Sequence, residues 1–309
     1  MTTTTFSTDP PEAERLNPSA MRRHRVEPDH DPDVKDVRGG MGDSNEANRR
    51  WAEMLARWAI PEELLAAEPA SPFFFDPTVF IKAADEALGR AEDSPSDAAA
   101  RESLPDGGTV LDVGVGAGAA SLRLAARAGH IIGVDLSREL LDVFADRARG
   151  LGVGHTTVEG GWPEVAPRTS PADVVLCHHV VYNVADLAGF ANALTSHATR
   201  RVVVELTTTQ PLAWMTPYWE AVHGLGQPDR PTVDDAVEVL ASLGLDVRQH
   251  RWQRRLQMIG ESNADHVTRI ARRLCVGLDR HAEVQRLLEV TPPPDAREVT
   301  TLWWETAGS

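Results

Sequence analysis

The sequence predicts an α/β fold: a doubly wound, seven-stranded, mostly parallel sheet preceded by an N-terminal helical extension. Three observations carry this expectation. Residues 110–113 (Val-Leu-Asp-Val) form a short apolar run, as expected of a strand buried on both faces. Glycines then stand at alternate positions, Gly114, Gly116 and Gly118, before a run with helical character. From there on, short apolar runs alternate with amphipathic segments, the rhythm of successive βαβ crossovers.

Taken in order, residues 1–43 are polar and proline-bearing, and read as a disordered tail. Residues 44–104 read as a helical cover. Ser44 caps a helix over 45–58 with Trp51, Leu55 and Trp58 on one face, and Pro61 opens a short turn of helix over 61–67. Phe73, Phe74 and Phe75 form a stiff aromatic link, with core packing the plainer role for at least two of them. Asp76-Pro77 then starts a helix over 78–91. Residues 94–105 read as a polar linker that has room for one helical turn.

Residues 105–309 supply the sheet. Strands are expected over 109–113, 130–134, 155–158, 173–177 and 201–206, with helices over 118–127, 138–149 and 186–198. An aromatic insertion occupies about 207–231. Beyond it come a helix opened by Thr232 and Asp235, a strand over 246–256, helices over 263–274 and 279–290, and a closing strand over 299–305. Residues 1–43, 44–104 and 105–309 are thus tail, cover and main domain.

Composition narrows the function. The net charge of −15 lacks the basic surface of a nucleic-acid groove and favours a small-molecule partner. Of the 31 basic residues only Lys35 and Lys82 are lysine; the others are arginine. The two cysteines fit a reducing cytosol, and no apolar run is long enough to span a bilayer, so a cytoplasmic location without membrane contact is expected. Patterns for a P-loop, a nucleophile elbow and a zinc-protease helix do not occur. Oligomeric state is not readable.

Asp112 decides what the glycine turn receives. A carboxylate two residues before the first glycine repels a pyrophosphate and attracts a ligand bearing ammonium and sulfonium groups. Asp135 ends the next apolar run, where an acid commonly grasps a ribose diol; capping of the following helix is its plainer role. Asp112, the Gly114-x-Gly116-x-Gly118 turn and Asp135 together resemble the class I S-adenosylmethionine-dependent methyltransferases. The resemblance covers roughly residues 107–206 and implies the family's sheet order, with S-adenosylmethionine as cofactor. It implies that Asp112, Gly114, Gly116 and Gly118 hold the methionine portion, Asp135 the ribose, and that Leu136 packs beside the adenine.

The family's usual acid for the adenine amino group falls on Gly161, a departure. Trp162 could stack on the adenine or fill the core, and Glu159 could supply the carboxylate. The loop Cys177-His178-His179 falls where the family passes its methyl group. In extended chain the two histidines point oppositely, so both face the cofactor only if the loop turns between them; His178 is the favoured lining residue. His178, His179 and Glu205 are the candidate catalytic residues, as a base for a hydroxyl or amine acceptor, although an ordinary structural histidine is the plainer reading for either one. A metal site is not expected, since no further ligand arrives at suitable spacing.

Trp214, Tyr218, Trp219 and His223 are either a substrate-covering lid, which favours an apolar or aromatic acceptor, or the packing of an ordinary insertion. Two rival functions use the same turn: an NAD-linked oxidoreductase, against which Asp112 counts, and a non-catalytic cofactor-binding or scaffold protein.

Overall fold

Strand β2 (Gly108–Val113) sits in the middle of the sheet, and its side chains divide the interior into two cores. Val110 points into one core with Ile131 and Phe144, while Leu111 and Val113 point into the other with Phe190 and Trp304. Both faces are covered, so the central strands are apolar throughout rather than alternating. The computed structural model describes residues 33–40, 44–57, 60–67, 72, 76–226, 231–255 and 263–306.

The other strands are β1 (Val34–Val37), β3 (Ala128–Asp135), β4 (Gly154–Glu159), β5 (Ala172–His178), β6 (Ala198–Thr207), β7 (Val247–Arg255) and β8 (Ala296–Glu305). Their order is β1-β7-β8-β6-β5-β2-β3-β4. From β4 across to β6 the pairing is parallel, β8 runs antiparallel to both β6 and β7, and β1 is antiparallel to β7. The carboxyl ends of β2, β3, β5 and β6 therefore share one edge with the end of β7 and the start of β8. That edge is where a doubly wound sheet receives ligands.

The helices are α1 (Ser44–Arg57), α2 (Glu62–Ala67), α3 (Pro77–Gly89), α4 (Pro95–Ser103), α5 (Arg138–Gly150), α6 (Leu187–His197), α7 (Thr216–His223), α8 (Val233–Ser242), α9 (Asn263–Arg273) and α10 (His281–Val290). Helices α1, α6 and α8 cover the face holding Leu111; α4 and α5 cover the other.

Three features depart from expectation. The sheet has eight strands, because residues 34–37, read as tail, pair with β7 from Val34 opposite His250 to Val37 opposite Val247. Most of the remaining tail, with Trp58 and Phe73 to Phe75, lies outside the described residues. The expected linker over 94–105 contains a full helix, α4, capped reciprocally by Ser94 and Asp97, with Ser96, Ala99 and Ala100 buried against the sheet. Conversely, the helix expected over 118–127 shrinks to a 3₁₀ turn, Ser121–Leu124, and the chain enters β3 by Ala128. Leu122 and Leu124 are buried in the core that α4 shares, so tertiary packing overrides the helical propensity of this alanine-rich stretch.

The cover is fastened to the sheet by specific polar contacts. On α1, the Trp51 indole N–H donates to the Val184 carbonyl at 2.7 Å, and Asn48 bonds both Asp186 and the Ala188 N–H. On α3, Ala84 packs with Ala117 and Leu140, while Arg147 donates to the carbonyls of Ala117 (3.0 Å) and Ile81 (3.2 Å). Among the described residues no helix is long and apolar enough to cross a membrane, and no group of three metal-ligating side chains assembles.

Candidate active site

The glycine turn is left-handed at Gly114 (φ 79°), Gly116 (φ 52°) and Gly118 (φ 87°). Such values are close to cost-free only for glycine. At Gly114 space also matters: an added Cβ would meet Val180 Cγ2 at 2.3 Å. The turn is tied to β3 by the N–H groups of Gly114 and Val115, both donating to the Val134 carbonyl. Asp135, at the end of β3, accepts from the Gly116 N–H at 2.8 Å and the Ser137 N–H at 2.9 Å. It thus braces the turn and the entry to α5, and its oxygens keep further lone pairs for another donor.

Asp112 is 1 % exposed and accepts from the Ser121 N–H at 3.3 Å. Burial raises its pKa, Ser121 and His178 pull it down, and the Asp135 charge adds a further rise. Two carboxylates thus act on each other across a bare main-chain turn, an arrangement relieved by a cation.

After β4, Gly161 and Trp162 part company. Trp162 is 9 % exposed, and its ring meets His197 edge-on with centroids 4.8 Å apart. It fills the core with Val165 and Ala166 instead of presenting a face at the sheet edge. A Cβ on Gly161 would lie 3.1 Å from Glu164 Oε2 and 3.6 Å from Leu136 Cδ2. The Glu164 carboxylate therefore stands where a side chain at Gly161 would project. Only the backbone placement reveals this, because in sequence Glu164 is one acid among many. Leu136 is 77 % exposed, an apolar side chain left on the rim of the turn. Glu159 points away, toward Arg138.

The β5–β6 edge concentrates titratable groups. His178 pairs in register with Glu205, and the chain then turns sharply at His179, whose φ of 59° is left-handed and strained for a residue with a side chain. The His179 N–H donates to the Glu205 carbonyl at 2.7 Å. Through this turn both imidazoles come to face the Glu205 carboxylate. His179 Nε2 lies 3.0 Å from Glu205 Oε1, and His178 is the in-register neighbour of Glu205 on the adjacent parallel strand.

Glu205 is itself fully buried. Its Oε2 accepts from the Ser96 hydroxyl at 2.6 Å, and its Oε1 pairs with Arg254 at 2.5 Å. Burial pushes the Glu205 carboxyl up, but His178, Arg254 and His179 outweigh it and hold it well below the usual range. Burial lowers the pKa of His178, opposed by Glu205 and Asp112, and its Nε2 is buried without a hydrogen-bond partner. Tyr182 stacks beside His179, bonds Thr207 Oγ1 at 2.8 Å, and has its hydroxyl pushed up to about 12, mainly by burial. Cys177, buried beside Val204, has its thiol pushed up by burial.

The aromatic insertion is turned elsewhere. Tyr218 is fully buried with its hydroxyl on the Thr291 carbonyl, and Trp214 meets its ring edge-on. Trp219 is 5 % exposed, and His223 Nε2 sits 2.6 Å from the Leu274 carbonyl. Of the two readings, lid or packing, the packing is what forms: Trp214, Tyr218 and Trp219 build a satellite core with Ile270 of α9, Leu274 just beyond it and Val284 of α10, and the His223 ring lies 5.1 Å from that of Trp219. Their apolar area is best buried against the amphipathic helices that follow.

Compared with known proteins, residues 110–199 match the family model described as "Methyltransferase domain". No curated protein matches the chain. Among solved structures, YcgJ from Bacillus subtilis is similar at 13 % identity with a TM-score of 0.48, covering 69 % of this chain and 99 % of its own. Magnesium protoporphyrin IX methyltransferase from Synechocystis PCC 6803, with bound SAH, is similar at 16 % identity and a TM-score of 0.45, covering 85 % and 100 %. The cyclopropane synthase MmaA2 from Mycobacterium tuberculosis is similar at 14 % identity and a TM-score of 0.46, covering 78 % and 98 %. Asp112, the glycine turn and Asp135 all lie inside residues 110–199, the segment that matches the methyltransferase-domain model.

Proposed function

We propose that the chain transfers a methyl group from S-adenosylmethionine to an oxygen or nitrogen nucleophile of a small-molecule acceptor, by in-line displacement at the sulfonium methyl. The observation that carries this reading is the pairing of a buried carboxylate, Asp112, with a buried and unpartnered imidazole nitrogen, His178 Nε2, beside a bare glycine turn. Leaving a buried nitrogen unpaired costs roughly 1–3 kcal/mol, which a bound group recovers. Two interacting acids and a main-chain cradle that a Cβ would fill suit a cationic ligand, so the residues present fit the cofactor.

Asp112 and the turn from Gly114 to Gly118 hold the methionine portion, and Asp135 takes the ribose hydroxyls. Leu136 flanks the adenine, and Glu164 takes the place of the missing acid at Gly161. The cofactor supplies a methyl group already activated by its positive sulfur, so the protein's work is alignment and exclusion of water. His178, whose pKa burial lowers, accepts the acceptor's proton at Nε2, and Glu205 stabilises the imidazolium that results. His179 fixes Glu205 from the other side, and Tyr182, kept protonated, holds His179.

Two measurements test this. Calorimetric titration should show binding of S-adenosylmethionine and none of NADH; the reverse result overturns the reading. Mass spectrometry of cell extract incubated with the protein and deuteromethyl cofactor should reveal a labelled small molecule, absent with His178→Ala.

A further inference from the structure

A chain of single hydrogens fixes the tautomer of His179. The Thr207 hydroxyl has one hydrogen, which goes to the Thr209 carbonyl at 2.5 Å. Toward Tyr182, 2.8 Å away, Thr207 Oγ1 therefore only accepts, and the Tyr182 hydroxyl donates. That leaves the Tyr182 oxygen with lone pairs alone. One receives the Thr207 N–H, and the other faces His179 Nδ1 at 3.3 Å. Nδ1 is thus the ring nitrogen that carries a proton.

Arg254 occupies the other ring nitrogen. Its Nη1 lies 2.9 Å from His179 Nε2 and its Nη2 2.5 Å from Glu205 Oε1. A guanidinium only donates, so Nε2 accepts and the imidazole is neutral; an imidazolium there would set two cations in contact. Nε2 also lies 3.0 Å from Glu205 Oε1. With its lone pair turned to Arg254, that approach is between two acceptors, bridged by one guanidinium fork. The other Glu205 oxygen is held through the same strand. Trp252, two residues before Arg254 and on the same face of β7, donates its indole N–H to Thr301 Oγ1 at 3.1 Å. Thr301 stands directly opposite Glu205 in the β6–β8 ladder. Between them sits the Ser96 hydroxyl, 2.7 Å from Thr301 Oγ1 and 2.6 Å from Glu205 Oε2. A carboxylate only accepts, so Ser96 gives its hydrogen to Glu205 and Thr301 gives its own to Ser96. The Arg254 guanidinium lies 5.0 Å from the centre of the Trp252 ring, a cation–π distance. Strand β7 thus steers both oxygens of Glu205.

We propose that Arg254 is a positioning residue for the proton transfer: its fork seats the Glu205 carboxylate beside His178 and closes the lone pair of His179, so that His178 alone serves as base. The inference rests on the methyl-transfer reading and narrows two candidate histidines to one. The acceptor's oxygen or nitrogen keeps the electron pair of its bond to hydrogen as it takes up the methyl group. The proton passes to His178 Nε2, the buried nitrogen without a hydrogen-bond partner, and Glu205 faces the charge that results. His179 takes no proton in this step; its Nδ1–H stays on Tyr182 and its Nε2 stays on Arg254.

The test has two arms. In the first, the full chain labelled with nitrogen-15 at histidine is studied by long-range proton–nitrogen NMR at neutral pH, the His179 signals being assigned by their loss in His179→Asn. The expected spectrum shows one protonated nitrogen on that ring, Nδ1, and an unprotonated Nε2 whose shift moves in Arg254→Gln. A proton on Nε2, alone or with Nδ1, overturns the inference. In the second arm, the rate of labelling in the deuteromethyl extract assay is compared among variants, with S-adenosylmethionine affinity measured by calorimetry. Arg254→Gln should slow labelling about tenfold or more while the affinity stays within about twofold, which a general loss of structure would not spare. Arg254→Lys, which keeps the charge but has no fork, should fall between Arg254→Gln and wild type. His178→Asn should slow labelling about a hundredfold or more, the usual worth of a general base, and His179→Asn by less than about tenfold. Arg254→Gln labelling at the wild-type rate, or His179→Asn slower than His178→Asn, overturns the proposal. A wrong tautomer with labelled product overturns this inference and leaves methyl transfer intact. The expected tautomer without any labelled product overturns the methyl-transfer reading and, with it, the positioning role.

Discussion

Replacing Glu205 by glutamine isolates the central electrostatic claim. The carboxylate is 1 % exposed and joins Ser96, Arg254 and His179, while the Arg254 side chain is 29 % exposed. Removing one partner of a buried ion pair costs about 3–5 kcal/mol, because the remaining charge stays desolvated. Glutamine keeps one acceptor oxygen, so a loss near the lower end, about 3 kcal/mol, is expected. At about 2–4 °C per kcal/mol for a chain of this size class, the melting temperature should fall by about 6–12 °C. The pH dependence carries the sharper information. Glu205 has a folded-state pKa held below its unfolded value of about 4.3. Its stabilisation is therefore fully present above that value and is lost as pH falls through the lower folded one. Urea unfolding at pH 7, 6, 5 and 3.5 should show the Glu205→Gln deficit constant down to pH 5 and shrinking at pH 3.5. A deficit below about 0.5 kcal/mol at pH 7, the range of an ordinary surface change, would refute the ion-pair reasoning, as would a deficit that does not change with pH.

The remaining outcomes are as specific. Gly114→Ala places a Cβ 2.3 Å from Val180 at a left-handed position; about 1–3 kcal/mol of stability should go, along with cofactor binding measured by calorimetry. Asp112→Asn should weaken S-adenosylmethionine binding about tenfold or more with an unchanged or slightly raised melting temperature, since the charge it removes is costly to bury. The acid limb of kcat/KM should fall below the ordinary histidine value of about 6.5, because burial lowers the pKa of His178, and His178→Asn should abolish that limb. Trp51→Phe removes the indole donor to Val184 and should cost about 1–2 kcal/mol, detected as faster amide exchange across the β5–α6 connection.

What the sequence could convey follows from how local each feature is. Asp112, Gly114, Gly116, Gly118 and Asp135 form one strand, one turn and the next strand, so their spacing alone specifies their geometry. The histidine pair was visible as a pair, but its orientation depends on a left-handed His179, a conformation that histidine adopts more often than most residues yet still only in a small minority of cases. The partners of Glu205 were hidden for a different reason. Arg254 reaches it only because β8 inserts between β6 and β7, a register that no single segment encodes. Ser96 reaches it from α4, a helix that docks through small side chains, Ala99 and Ala100, and so shows no large apolar stripe. β1 escaped notice because an edge strand reading Val-Lys-Asp-Val is half polar by design, which limits pairing with other chains. The aromatic insertion stayed open between lid and packing because Trp214, Tyr218 and Trp219 look the same in sequence whether they meet a ligand or, as here, α9 and α10.

The shortened first crossover ties these observations together. A full helix over residues 118–127 would by itself cover the core beside β2; the 3₁₀ turn that replaces it leaves that work to α3 and α4. Two arginines bind the substitute in place. Arg123 donates to the carbonyls of Ala87 and Arg90 and pairs with Asp93 and Asp97, while Arg147 joins α3 to the glycine turn. Phe80 on α3 stands so near Gly116 that a Cβ there would meet its ring at 3.8 Å. The cofactor turn and the N-terminal cover therefore share one packing surface. A ligand that changes contacts on the turn changes the docking free energy of α3 by the same amount that α3 changes its affinity, as linkage requires. The helical cover, by this argument, belongs to the binding site in thermodynamic terms although neither Arg123 nor Arg147 needs to touch a ligand.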